Sequence, residues 1–162
     1  MADTYYQIYI HLVFAVKGRS SLISKNWKED LYKYITGIIS NRSQKLLAIN
    51  GMPDHIHILI GMKPTCCLSD LVRDVKSRSS KHINDKKWVR GHFDWQNGFG
   101  AFSVGHSQLD TMFNYIRNQE EHHRKTTFME EYIKFLEDNG IEYKSEYLFQ
   151  PIDIDLSDSD LE

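Results

Sequence analysis

The stretch Pro53-Asp54-His55-Ile56-His57-Ile58-Leu59-Ile60 constrains this chain more than any other. Branched aliphatic residues with histidines at alternate positions read as a β-strand, in which successive side chains point to opposite faces. His55, His57 and Leu59 then share one face, and Ile56, Ile58 and Ile60 share the other. The isoleucine face belongs on a core. The two imidazoles project together from the opposite face, close enough to grip one metal ion. On a helix the same spacing splays them apart, because positions i and i+2 do not face each other. Pro53-Asp54 is a natural turn into the strand. Taken alone, a His-x-His pair is as often a plain feature of a sheet surface, so its meaning depends on the rest of the chain.

That rest alternates strand and helix. Residues 5–16 are β-branched and aromatic and read as a first strand. Tyr6, Ile8, Ile10, Leu12 and Phe14 lie on one of its faces, and Gln7, Tyr9, His11 and Val13 on the other. If it pairs with the histidine strand, His11 and Tyr9 come beside the imidazoles, with His11 a packed neighbour rather than a ligand. An amphipathic helix spans about 25–43, a short strand Lys45 to Ile49, and Asn50-Gly51 is a turn dipeptide. A second amphipathic helix covers about 68–83, and Ala101 to Val104 is the last strand. In a helix over about 108–124, Leu109, Met112, Phe113 and Ile116 face the core, while Tyr115, Gln119 and His122 share a flank. A final helix over about 127–139 stops at Asn139-Gly140. Residues 1–147 form one domain, and the acidic residues 148–162 read as a disordered tail.

The chain has 162 residues, 41% hydrophobic and 26% charged, the balance of one soluble domain with a real core. No apolar run approaches a membrane span, and Met1-Ala2-Asp3-Thr4 lacks the features of a secretory signal. The adjacent Cys66 and Cys67 are neither a disulfide framework nor a zinc spacing, so a reducing, cytoplasmic setting is expected. The net charge of −2 is unevenly spread: the last ten residues carry five acids and no base. Arg73, Lys76, Arg78, Lys81, Lys86, Lys87 and Arg90 form a local basic zone, the kind that phosphate contacts require. They are the candidate DNA-binding residues, with a solvated helix face as the plain alternative. Nearby Phe93, Trp95 and Phe99 suit the stacking of unpaired bases if exposed, whereas Trp88 and Phe102 read as core.

His55-Ile56-His57 on a strand, with Tyr115 and Gln119 on a late helix, resembles the HUH single-tyrosine transposases. These small enzymes of prokaryotic insertion sequences act on single-stranded DNA and are related to REP-associated tyrosine transposases. Trp95-Gln96-x-Gly98-Phe99-x-Ala101-Phe102-Ser103-Val104 and Asn118-Gln119-x-x-His122-His123 carry the resemblance further, over about residues 5–140. The element order fits an α+β fold, a ferredoxin-like or RRM-like split βαβ antiparallel sheet with helices on one face. The resemblance implies that fold, with the histidines on a central strand and an additional C-terminal catalytic helix.

It further implies Tyr115 as nucleophile, His55, His57 and Gln119 as metal ligands, and Mg²⁺ or Mn²⁺ as cofactor. By ligand type alone, imidazoles suit zinc or nickel as well. Such an enzyme cleaves and rejoins single-stranded DNA at mobile-element ends through a 5′-phosphotyrosine. Its implied partners are a strand with a hairpin near the element end and a second copy of the chain, the tyrosine helix acting in trans, and it would be nucleoid-associated. A phenol of pKa about 10 needs activation at neutral pH, and only His122 is placed by spacing to help. Three other readings fit parts of the pattern: a non-catalytic nucleic-acid-binding module, a hydrolase in which water attacks, and a domesticated or non-mobile endonuclease.

Overall fold

The computed structural model describes residues 2–152. Strands β1 (Tyr9–Ala15), β2 (Lys45–Met52), β3 (His55–Gly61) and β4 (Gly100–Val104) form one antiparallel sheet in the order β2-β3-β1-β4. Helices α1 (Lys28–Asn41) and α2 (Leu68–Lys86) make the two crossovers. This is the expected α+β, ferredoxin-like arrangement, and it places the histidine strand centrally, between β1 and β2.

The alternation in β3 divides the protein into two layers. Ile56, Ile58 and Ile60 are fully buried in a core with Leu12 and Phe14 of β1. Leu31, Ile35 and Ile39 of α1 and Leu71, Val75 and Ile83 of α2 complete it. Each such side chain contributes roughly 1.5–3 kcal/mol by leaving water. Leu59, on the other face, packs with Ala48, Val104 and Ile116 in a separate cluster. That second face is covered by α3 (Leu109–Arg117), α4 (Gln119–His123) and α5 (Phe128–Asp138).

Several local expectations shift. β1 starts at Tyr9, not at residue 5, because β3 ends opposite it at Gly61, and Tyr5 and Tyr6 stay exposed. Asn50-Gly51 is not the hairpin turn. β2 runs on through Met52 and pairs Gly51 with Ile56, so the reversal falls on Pro53 and Asp54. The 108–124 helix is broken at Asn118, whose φ of −98° and ψ of 30° separate α3 from α4. Phe93, Trp95 and Phe102 are buried, and Trp88 and Phe99 half-buried, so the aromatics of this region fill the core instead of offering stacking faces. Trp95 is fixed there by a 3.0 Å hydrogen bond from its indole N–H to Ser79 Oγ.

The folded part also extends past residue 147. Phe149 is buried against Phe128 and Tyr132, and the Gln150 N–H donates to Gln96 Oε1 at 2.7 Å. The acidic residues 153–162, read from sequence as disordered, lie outside the described residues. Cys66 and Cys67 are free thiols. Among the described residues no helix is long and apolar enough to cross a membrane.

Candidate active site

β3 supplies His55 and His57, both fully buried on the face away from α1 and α2. β1 runs beside them and adds His11, whose ring stacks on His57 with centroids 5.0 Å apart. α5 closes the site from above. Its buried stripe is Phe128, Tyr132 and Leu136, and Glu131 falls on the same stripe, only 2% exposed. Phe128 stacks on the His55 ring at 4.0 Å, and Phe135 meets His11 and Tyr115 edge-on. Thr127 caps the helix by accepting from the Glu130 N–H, which fixes the start of the turn that carries Glu131.

His55, His57 and the His123 of α4 share one orientation. Each has its Nδ1 engaged by an outer partner: His55 with Asp54 Oδ1 at 2.7 Å, His57 with His11 Nε2 at 2.8 Å, and His123 with the Thr126 carbonyl at 2.8 Å. Their Nε2 atoms are thereby turned towards Glu131. Oε1 lies 2.8 Å from His57 Nε2 and 3.5 Å from His55 Nε2, and Oε2 lies 3.3 Å from His123 Nε2. His122 Nε2 reaches Oε2 at 3.2 Å, and the Tyr115 hydroxyl donates to the same oxygen. Gln119 is buried at the start of α4, its Oε1 being 3.4 Å from His55 Nε2 and 3.1 Å from His123 Nε2.

Electrostatics follow from this enclosure. Burial alone raises the Glu131 carboxyl, but hydrogen bonds from His123, His55 and His57 outweigh it and hold the group well below the usual carboxylate range. Burial pulls His55 down, yet Asp54 and Glu131 reverse the sign and raise it to about 9. His57 is lowered to about 4 by burial against the pull of Glu131. His11, also buried, is lowered well below its ordinary value, and its Nδ1 has no partner among the described residues. Burial, then the charge and hydrogen bond of Glu131, push the Tyr115 phenol well above its ordinary value.

One ligand atom from each of His55, His57, His123 and Glu131 lies within 4.8 Å of the others. Imidazole nitrogens, a carboxylate and the neighbouring amide oxygen are ordinary donors for a divalent cation. Outer partners on the Nδ1 atoms of His55, His57 and His123 are the second-shell pattern that orients histidine ligands. The residues present therefore fit a metal ion.

The sequence-derived candidates separate into two groups. His55, His57, Tyr115 and Gln119 are brought together, all within one chain, with the Tyr115 ring 5.9 Å from that of His57. The basic residues are elsewhere, on and after α2, across the sheet from the histidines. Arg73, Arg78 and Lys81 pair with Asp70, Asp74 and Asp85. Lys76 is tied down: its ammonium donates to the carbonyls of Gln96 and Gly98 and sits over the Phe14 ring. All of these basic residues except Lys76 are exposed, Lys86, Lys87 and Arg90 included. Sequence reasoning missed Glu131. Its signal was a charged residue on the apolar stripe Phe128, Tyr132, Leu136, a pattern that calls for a buried partner.

Comparison with known proteins places the chain in a family. The family model described as "Transposase IS200 like" matches residues 4–119. The ISDra2 transposase TnpA of Deinococcus radiodurans is 23% identical over 123 residues, spanning 72% of this chain and 86% of that protein. A solved structure of a REP-associated tyrosine transposase bound to a REP hairpin superposes with a TM-score of 0.58 at 16% identity, covering 76% of this chain and 73% of that one. A Deinococcus radiodurans structure assigned to the transposases gives 0.55 at 24% identity, covering 74% and 95%.

Proposed function

This chain belongs to the IS200-like transposase family, and on that premise we propose that it cleaves and rejoins single-stranded DNA at mobile-element ends through a 5′-phosphotyrosine on Tyr115. The observation that carries this is the meeting of Tyr115 with His55, His57 and Gln119 on one face of the sheet. A non-catalytic binding module needs none of these groups, and the aromatics it would use for stacking are mostly buried. The relative solved with a REP hairpin supports a hairpin-bearing strand as the substrate, and Arg73, Arg78, Lys81, Lys86, Lys87 and Arg90 are the exposed bases of the proposed phosphate-contacting surface. The homodimer implied by the family resemblance belongs to this reading.

In the proposed reaction Tyr115 Oη bonds to phosphorus as the P–O3′ bond breaks. The 5′ side stays on the enzyme as a phosphotyrosine, and the 3′ side leaves as a hydroxyl. Rejoining is the reverse with another 3′ hydroxyl, so no ATP is needed. His55, His57 and Gln119 would hold Mg²⁺ or Mn²⁺, which supplies charge neutralisation and orientation for the phosphate. His11 and Asp54 keep the two histidine rings turned inward. Tyr115, held neutral by burial and by Glu131, must release its proton as the new bond forms, and Glu131 and His122 lie at its edge.

The test is incubation with labelled single-stranded DNA from the encoding element's ends and Mn²⁺, resolved on a denaturing protein gel. A protein–DNA band lost in Tyr115→Phe and with EDTA is expected. Cleavage without an adduct would replace this reading by a water-attacking nuclease, and binding without cleavage by a binding module.

A further inference from the structure

The family model ends at residue 119, and α5 lies entirely beyond it. Yet α5 reaches back over the sheet and places a carboxylate at the centre of the candidate site. We infer that Glu131 is an additional metal donor contributed by this C-terminal segment, and that its second oxygen aligns the Tyr115 hydroxyl beside the ion. This rests on the proposed function and extends it by a ligand that residues 4–119 do not contain.

A carboxylate serving only as counter-ion to one histidine would need one partner. Glu131 instead divides its oxygens. Oε1 faces the Nε2 atoms of His55 and His57, at 3.5 and 2.8 Å. Oε2 takes the Tyr115 O–H and lies 3.2 and 3.3 Å from His122 and His123. The histidines in turn spend their Nδ1 atoms on Asp54, His11 and the Thr126 carbonyl, which leaves only Nε2 to point inward. Three nitrogens and an oxygen converging within 4.8 Å, each oriented from outside, is the arrangement of a ligand set and its supports. Because the same carboxylate holds the phenol, placing the ion also places the nucleophile.

The experiment measures Mn²⁺ binding to the full chain without DNA, by the loss of the free-ion EPR signal. It compares the wild type with Glu131→Gln, Glu131→Asp and Tyr115→Phe, each checked for folding by circular dichroism. Glu131→Gln should weaken Mn²⁺ about 10- to 100-fold, Glu131→Asp should retain part of the affinity, and Tyr115→Phe should stay within about twofold, as expected for a group that is not a donor. In parallel, the ¹³Cζ resonance of Tyr115, identified by its absence in Tyr115→Phe, should shift in Glu131→Gln and broaden with Mn²⁺ in the wild type. If Glu131→Gln does not fold, the Glu131→Asp affinity decides: weaker Mn²⁺ binding than the wild type is expected, and unchanged binding overturns the inference. Unchanged or tighter Mn²⁺ binding in Glu131→Gln, or no broadening at Tyr115, overturns the inference. The proposed function fails separately, by absence of the wild-type adduct on authentic element ends.

Discussion

Gly51→Ala is a single methyl addition with a large expected effect. A Cβ at this position would lie 2.2 Å from the His55 carbonyl oxygen and 2.9 Å from Ile56 Cα, both backbone atoms that no side-chain rotation can clear. Ordinary contact begins near 3.4 Å, so β2 and β3 must part locally by about 1.2 Å. That stretches the neighbouring ladder hydrogen bonds beyond their working range, and losing two of them costs about 2 kcal/mol. Residual overpacking adds about 1–3 kcal/mol. The sum, about 3–5 kcal/mol, is a large part of the roughly 5–15 kcal/mol that stabilises a domain. Because Gly51 pairs with Ile56, the displacement also moves His55. Urea unfolding followed by circular dichroism measures the loss. Gly37→Ala is the control: Gly37 is exposed within α1 with open space around it, and alanine there should stabilise by about 0.5–1 kcal/mol. A Gly51→Ala variant within about 1 kcal/mol of wild type would refute the close-approach argument.

Two further outcomes follow from packing and charge. Phe149→Ala should destabilise by about 3 kcal/mol in the same urea assay, since its ring is buried with Phe128 and Tyr132; a change under about 1 kcal/mol would return residue 149 to the tail. Burial lowers Lys76 to about 8, below its unfolded value of about 10.4. The unfolded chain therefore binds more protons between those limits, and the wild type should gain stability relative to Lys76→Met as pH rises through that window, the two curves running parallel below about pH 7.

The alternation in β3, read without any tertiary information, already separates the isoleucine core face from the histidine face, because strand period two is a local property of the chain. The helical stripes of α1 and α2 are legible for the same reason, and with the strand order they lead to the ferredoxin-like sheet. The spacing of Tyr115 and Gln119 is legible too, although the break at Asn118 is not. What local pattern leaves open is what meets across space. Gly51 looks like a turn residue in sequence, but its role is the close approach of β2 to β3. Lys76 looks like one more surface base, but the 94–99 loop folds onto it. Glu131 reads as an acid on a helix, and only the docking of α5 over β3 and β1 turns it into the shared partner of four histidines and Tyr115. Periodicity records which face a residue occupies; its partner on another element is set by how the layers pack, and that information is distributed over the whole chain.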